Sequence, residues 1–121
     1  MANWLQPNMK KITIPDSLIT GKLQSNSIYG YKRCAIGVLL YHAGVDPKDL
    51  AIRCTPYGKF KCKGFEKEIT GLQILKETYG LTIEEIQTIQ DDNDTTPEED
   101  RVTIFIYNLV IHSIPYEYKY Y

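Results

Sequence analysis

Cys34 and His112 are the residues of this 121-residue chain whose types could carry covalent chemistry. Cys34 follows Lys32 and Arg33 and opens an apolar run. Cationic neighbours and a helix N-terminus both favour the thiolate, which is the nucleophilic form. His112 follows in the chain as a base, with Asn108 or Asp94 to orient it, and papain-like sites also order Cys before His. That set defines one function class, a cysteine hydrolase or transferase. Against it, free cysteine is among the most buried residue types, and a histidine at the end of a helix commonly serves as a charge partner there. His42 reads as a core histidine bonded to backbone.

A second set of residues suits an anion. Lys32 and Arg33 precede the helix that Cys34 opens, Ser25, Asn26 and Ser27 supply hydroxyl and amide groups, and Tyr29 and Tyr31 can stack on a base. The free N–H groups and positive dipole end of a helix N-terminus would complete such a site. Lys59, Lys61 and Lys63 alternate with Phe60 and Cys62, as on a half-buried strand with one lysine face. Such a face either guards a sheet edge or contacts phosphates. This set defines a non-enzymatic binding protein, whose ligand is a nucleotide-like small anion or a host protein. Duplex nucleic acid is not the expected partner, because the basic residues are few and no groove-reading motif is present.

No metal or cofactor is expected. Cys34, Cys54 and Cys62 are an odd number and lack the paired spacing of a zinc site, so reduced thiols are the reading. Asp91-Asp92-Asn93-Asp94 reads as an acidic loop and invites a calcium reading. It fails, since the sixth and twelfth loop positions hold neither the glycine nor the carboxylate that an EF-hand requires.

The elements that must position these residues follow from local signals. Ala35 to Ala43 is apolar on nearly every side and ends at Gly44, so it reads as a short central helix over about 34–43. Before it, Ile12 to Ile14 reads as extended, Asp16 to Ile19 as a cap and one or two helical turns ending at Gly21, and Ser25 to Gly30 as a polar loop. After it, Asp46-Pro47 starts a short helix, and turn residues Thr55 to Gly58 suggest a β-hairpin over about 52–63. Ile69, Leu72, Leu75 and Tyr79 recur at helical spacing up to Gly80. Thr82-Ile83-Glu84-Glu85 and Thr96-Pro97-Glu98-Glu99 have capping-box spacing and open two more helices, the last with Val102, Phe105, Ile106, Leu109 and Val110 inward. The fold class is mainly α, a small α+β bundle around the central helix. It is one domain over 1–121, with an irregular arm at 1–11 and a Tyr-rich tail at 115–121.

Composition agrees. A hydrophobic fraction of 43% and a charged fraction of 24% are those of an ordinary globular chain, which excludes disordered and fibrous classes. The apolar runs are too short for a membrane span and the start carries no signal-peptide pattern, so the expectation is a cytoplasmic protein. Charge is uneven: residues 1–63 carry ten Lys and Arg against three acids, a net +7, and residues 64–121 carry four against twelve, a net −8. The basic half is therefore where an anion is drawn. The ten tyrosines suit an interface, and a homo-oligomer is compatible with so small a chain.

Cys34-Ala35-Ile36-Gly37 with its apolar run to Gly44, then Asn93-Asp94 ahead of Arg101 and a final amphipathic helix, resembles a family of small bacterial and phage proteins. Its members share a Cys-Ala-Leu-Gly type helix and a later Asn-Asp pair before an arginine-bearing helix. The likeness covers roughly residues 16–112; Asp92 stands where members often have Trp. It implies a helical architecture and a bacterial or phage setting, where antagonism of host defence is one realisation. It assigns no chemistry.

Overall fold

The structure, a computed structural model, describes residues 11–28 and 30–119. The arm before Lys11, the stacking candidate Tyr29 and the last two tail tyrosines lie outside the described residues. In chain order the elements are β1 (Ile12–Ile14), β2 (Gln24–Ser27), β3 (Gly30–Arg33), α1 (Ala35–Ala43) and α2 (Pro47–Ala51). There follow β4 (Lys59–Phe60), β5 (Ile69–Thr70), α3 (Gly71–Tyr79), α4 (Ile83–Thr95), α5 (Glu98–Ile111) and β6 (Tyr116–Tyr118). The described architecture is α+β: helices packed together, with three two-stranded sheets around them.

α1 is buried along Ala35 to Leu40 and packs against α2, α3, α4, β1 and β3. Gly44 ends it in the left-handed conformation, φ 115°, and its N–H reaches the carbonyls of Leu40 and Tyr41, the cap geometry that glycine favours. Gly37 has a different reason. A Cβ there would run into the Leu23 carbonyl oxygen, so only glycine lets the chain entering β2 lie against α1. From α3 the Tyr79 hydroxyl donates to Leu39 O at 2.8 Å, and burial raises its pKa above the ordinary tyrosine value. Isoleucines and leucines of every helix join one buried cluster with Ile12, Ile14 and Phe60.

The strands depart from local expectation, two pairs of them because their partners are distant in sequence. β4 pairs antiparallel with β5, Lys59 opposite Thr70 and Phe60 opposite Ile69, so the hairpin does not close within 52–63. Cys62 instead bridges to Val45. Ile69 and Thr70 are strand rather than helix, and Thr70 caps α3 by accepting the Gln73 N–H at 3.2 Å. The polar loop expected at 25–30 is a hairpin: β2 and β3 pair antiparallel, Ser25 opposite Lys32 and Asn26 opposite Tyr31. β1 and β6 pair in parallel, Ile12 opposite Tyr116, which makes a strand of the start of the Tyr-rich tail. No helix forms over Asp16 to Ile19; that stretch is irregular.

The acidic stretch is also different. Asp91 to Asp94 is not a loop but the last turn of α4. Acids are unfavourable at a helix C-terminus, yet here the turn is held by specific bonds. Thr95 Oγ1 donates to Asp91 O at 2.8 Å and Asn108 Nδ2 to Asp92 Oδ2 at 3.1 Å. Thr82 and Glu85 form the expected reciprocal box at the start of α4. The second box does not form, since Pro97 is the cap of α5 and no side chain bonds there. On α5, Phe105 and Leu109 are buried whereas Val110 is exposed.

Candidate functional site

Around Cys34 the chain is closed rather than reactive. Cys34 Sγ accepts the Gly37 N–H at 3.3 Å and Asn93 Oδ1 accepts the Ala35 N–H at 3.2 Å. Burial pushes the Cys34 thiol up to about 11, so it stays protonated at neutral pH. The first-turn N–H groups that an anion would need are therefore engaged by this chain's own side chains, and Lys32 and Arg33 belong to β3. His112 Nδ1 lies 3.4 Å from Glu85 Oε2, at the start of α4, while Asn93 beside Cys34 belongs to its far end. Eight residues of helix carry the chain from Glu85 to Asn93. That is about 12 Å along the axis, at a rise of about 1.5 Å per residue. Asn108 faces Asp92. Cys34, His112 and Asn108 are thus not assembled as nucleophile, base and orienting amide.

The residues that carry the resemblance do converge, for a structural reason. Asn93 Nδ2 donates to Ile19 O at 2.9 Å, and Arg101 donates to Leu18 O through Nη1 at 3.1 Å and to Thr96 O through Nε at 3.0 Å. With Cys34 and Ala35 they join the irregular 18–19 stretch to the start of α1 and the end of α4. Asn93, 3% exposed, uses both ends of its amide there, as a buried polar group must.

The anion set is assembled on the β2–β3 hairpin. Arg33 is held on two sides. Its Nε donates to Gln24 Oε1 at 2.8 Å, and its guanidinium carbon lies 3.9 Å from the centre of the Tyr41 ring and 5.6 Å from that of Tyr31, within range of a cation–π attraction. Gln24 is itself fixed. It is 1% exposed, and its Nε2 donates to Asn26 Oδ1 at 2.7 Å and to Pro47 O at 3.1 Å. Both amide hydrogens are thereby used, which leaves Oε1 for the arginine. Desolvation by burial lowers the Arg33 pKa from its ordinary value, and the guanidinium remains charged at neutral pH. Among the described residues no side chain or carbonyl bonds Nη1 or Nη2 of Arg33. Arg33 lines a cavity of about 230 Å³ together with Tyr31, Lys32, Ser17, Asp16 and Lys119.

A larger groove of about 930 Å³ lies between the end of α1 and the 61–67 segment. Lys63 N donates to Gly44 O at 3.2 Å and Cys62 Sγ to Ala43 O at 3.3 Å, which ties the two walls together. Lys61, Lys63 and Lys67 line it with the rings of Tyr41 and Phe65 and the carboxylates of Asp46 and Glu66. None of the three lysines is ion-paired among the described residues.

Of the residues read from sequence, Ser27, Tyr31, Lys32 and Arg33 line the cavity and Lys61 and Lys63 the groove. Ser25 and Asn26 sit on β2 behind them, and Lys59 lies on β4 outside both concavities. Sequence reasoning missed Gln24, Tyr41 and Lys119. A glutamine just before a polar run carries no signal, and Tyr41 reads as helix core until the hairpin folds back on it. Lys119 arrives only through the β1–β6 pairing. Among the described residues no three His, Cys, Asp or Glu side chains come together as metal ligands, and no helix is long and apolar enough to cross a membrane.

No protein-family model, curated protein or solved structure matches the chain.

Proposed function

We propose that this chain is a non-enzymatic binding protein for a small anionic, nucleotide-like molecule, held at Arg33. The observation that carries the reading is the preparation of that one side chain. A buried glutamine and two tyrosine rings orient the guanidinium, its outer nitrogens have no partner among the described residues, and Arg33 lines a cavity with Lys32 and Lys119. An arginine held in this way has lost its rotamer freedom before the ligand arrives, and its planar fork matches a phosphate or carboxylate. Tyr31 offers a flat surface beside it. Following the resemblance, the setting we propose is bacterial or phage, in the cytoplasm, with sequestration of the ligand as the mode of action.

Calorimetric titration with inorganic pyrophosphate and with AMP tests this. Both should bind, more weakly as salt is raised, and Arg33→Met should weaken both by about tenfold or more, the worth of a charge-assisted bidentate contact. Full affinity in Arg33→Met would remove the site. A host protein as partner is the second reading, favoured by the hairpin end, where Ile28 is 91% and Tyr31 60% exposed, since exposed apolar patches mark interaction surfaces. Crosslinking from residue 28 to a defined polypeptide, abolished by Ile28→Ser, would support it.

A further inference from the structure

We infer that the cavity and the groove are two halves of one site, which takes a nucleotide carrying two separated phosphate groups; the inference rests on the anion site proposed at Arg33. The two concavities are neighbours, since a residue lining one touches a residue lining the other. Arg33 lines the cavity, Tyr41 lines the groove, and the guanidinium carbon and ring centre are 3.9 Å apart. Size divides their roles. The cavity has a volume of about 230 Å³. Pockets that enclose whole small ligands run to roughly 300–1,000 Å³, so this one suits a single oxyanion. The groove, about 930 Å³, has room for the body of a ligand as well as a second anion.

Charge and shape agree with that division. In the cavity Lys32, Arg33 and Lys119 face the single acid Asp16. In the groove Lys61, Lys63 and Lys67 outnumber Asp46 and Glu66, and they make no ion pairs that would absorb their charge among the described residues. Tyr31, 60% exposed, lines the cavity and offers a flat surface on which a base can stack. A ligand with one phosphate on each side of the Arg33–Tyr41 stack would engage both clusters at once. Its second contact would be intramolecular, so the affinity would exceed that of either half alone. A single phosphate monoester would engage only one of the two clusters with its phosphate.

The probes are AMP, with one phosphate, and the linear dinucleotide pApA, with two, titrated into the full chain by calorimetry. The dinucleotide should bind at least about tenfold more tightly than AMP, as expected when a second contact is linked to the first. The exposed double substitution Lys61→Gln/Lys63→Gln should remove that advantage, weakening pApA about tenfold more than it weakens AMP. Arg33→Met should weaken both ligands. Equal affinity for AMP and pApA, or a dinucleotide advantage that survives Lys61→Gln/Lys63→Gln, would overturn the joint site and leave the Arg33 anion site standing. If neither probe nor pyrophosphate binds, the anion site fails and this inference with it.

Discussion

At Cys34, Asn93 and Gly37 a residue type that suggests chemistry turns out to serve packing. The Cys34 thiol is a helix cap in an apolar site, and desolvation keeps it neutral. In the native protein iodoacetamide should therefore modify the exposed Cys54 first and leave Cys34 unmodified until the chain unfolds, as peptide mapping by mass spectrometry would read. Rapid native alkylation of Cys34 would revive the hydrolase. Asn93→Ala removes the acceptor of Ala35 N–H and the donor to Ile19 O, leaving two backbone groups unmatched. Its cost should be about 2–4 kcal/mol in urea unfolding, since each buried unsatisfied group costs roughly 1–3 kcal/mol. Gly37→Ala forces a Cβ into the Leu23 carbonyl, and backbone cannot yield as a side chain can. We expect a loss of about 3 kcal/mol or more, at the upper end of overpacking effects, and a soluble variant of normal stability would refute the close approach.

At the scale of elements, the β2–β3 hairpin decides whether the basic residues form a site. Among the described residues neither strand has a third neighbour, so the hairpin's place against α1 and α2 depends on the side chains beneath it. Gln24 is central there, bonded to Pro47 O just inside α2 and to Arg33 on β3. Gln24→Met keeps the volume and removes both bonds. Pyrophosphate affinity should fall several-fold, because Arg33 is released from its orientation while its charge remains. A Gln24→Glu variant, which still accepts from Arg33, should recover part of that loss; a mere packing role for Gln24 would show no such recovery. α4 shows the opposite balance between local and distant forces. Its start is written locally by the Thr82–Glu85 box, so Thr82→Ala should cost about 1 kcal/mol by thermal unfolding. Its end runs on through Asp91 to Thr95 against the dipole, because Asn93 and Asp92 are bonded to other parts of the molecule.

For the molecule as a whole, stability should fall at alkaline pH. Cys34 has a folded pKa of about 11 against an unfolded value of 9.0, and Tyr79 is raised above its ordinary 10.0. Groups whose folded pKa is raised keep their protons in the native state while the unfolded chain loses them. Their stabilisation is whole below pH 9 and is lost as pH rises through 9 toward 11. Urea midpoints measured from about pH 7 to about pH 10.5 should decline, and Cys34→Ala should reduce the slope whatever it does to the absolute value. The cores of α1, α3, α4 and α5 and several of their limits were legible in the sequence. Gly44, Gly80, the Thr82 box and the apolar spacing of α1 and α3 act over one or two turns, so a short window contains their cause. The uneven charge was legible too, as a reason to look for an anion site in the first half. Two of the strand pairings were not, because β4 finds its partner at 69–70 and β1 finds its partner at 116–118, and register depends on contacts that no local window holds; the β2–β3 hairpin is local, but its polar residues read as a loop. The cavity depended on tertiary structure for the same reason. Lys32 and Arg33 are basic in any fold, but only the return of the hairpin onto Tyr41, over a buried Gln24, fixes the guanidinium of a residue that lines a cavity. Sequence alone determined the Thr82 box that opens α4, the glycines that close α1 and α3, and where positive charge accumulates, since these are properties of neighbouring residues. Which of those charges stand together, and that Cys34 is sealed rather than reactive, were decided by distant segments meeting in the fold.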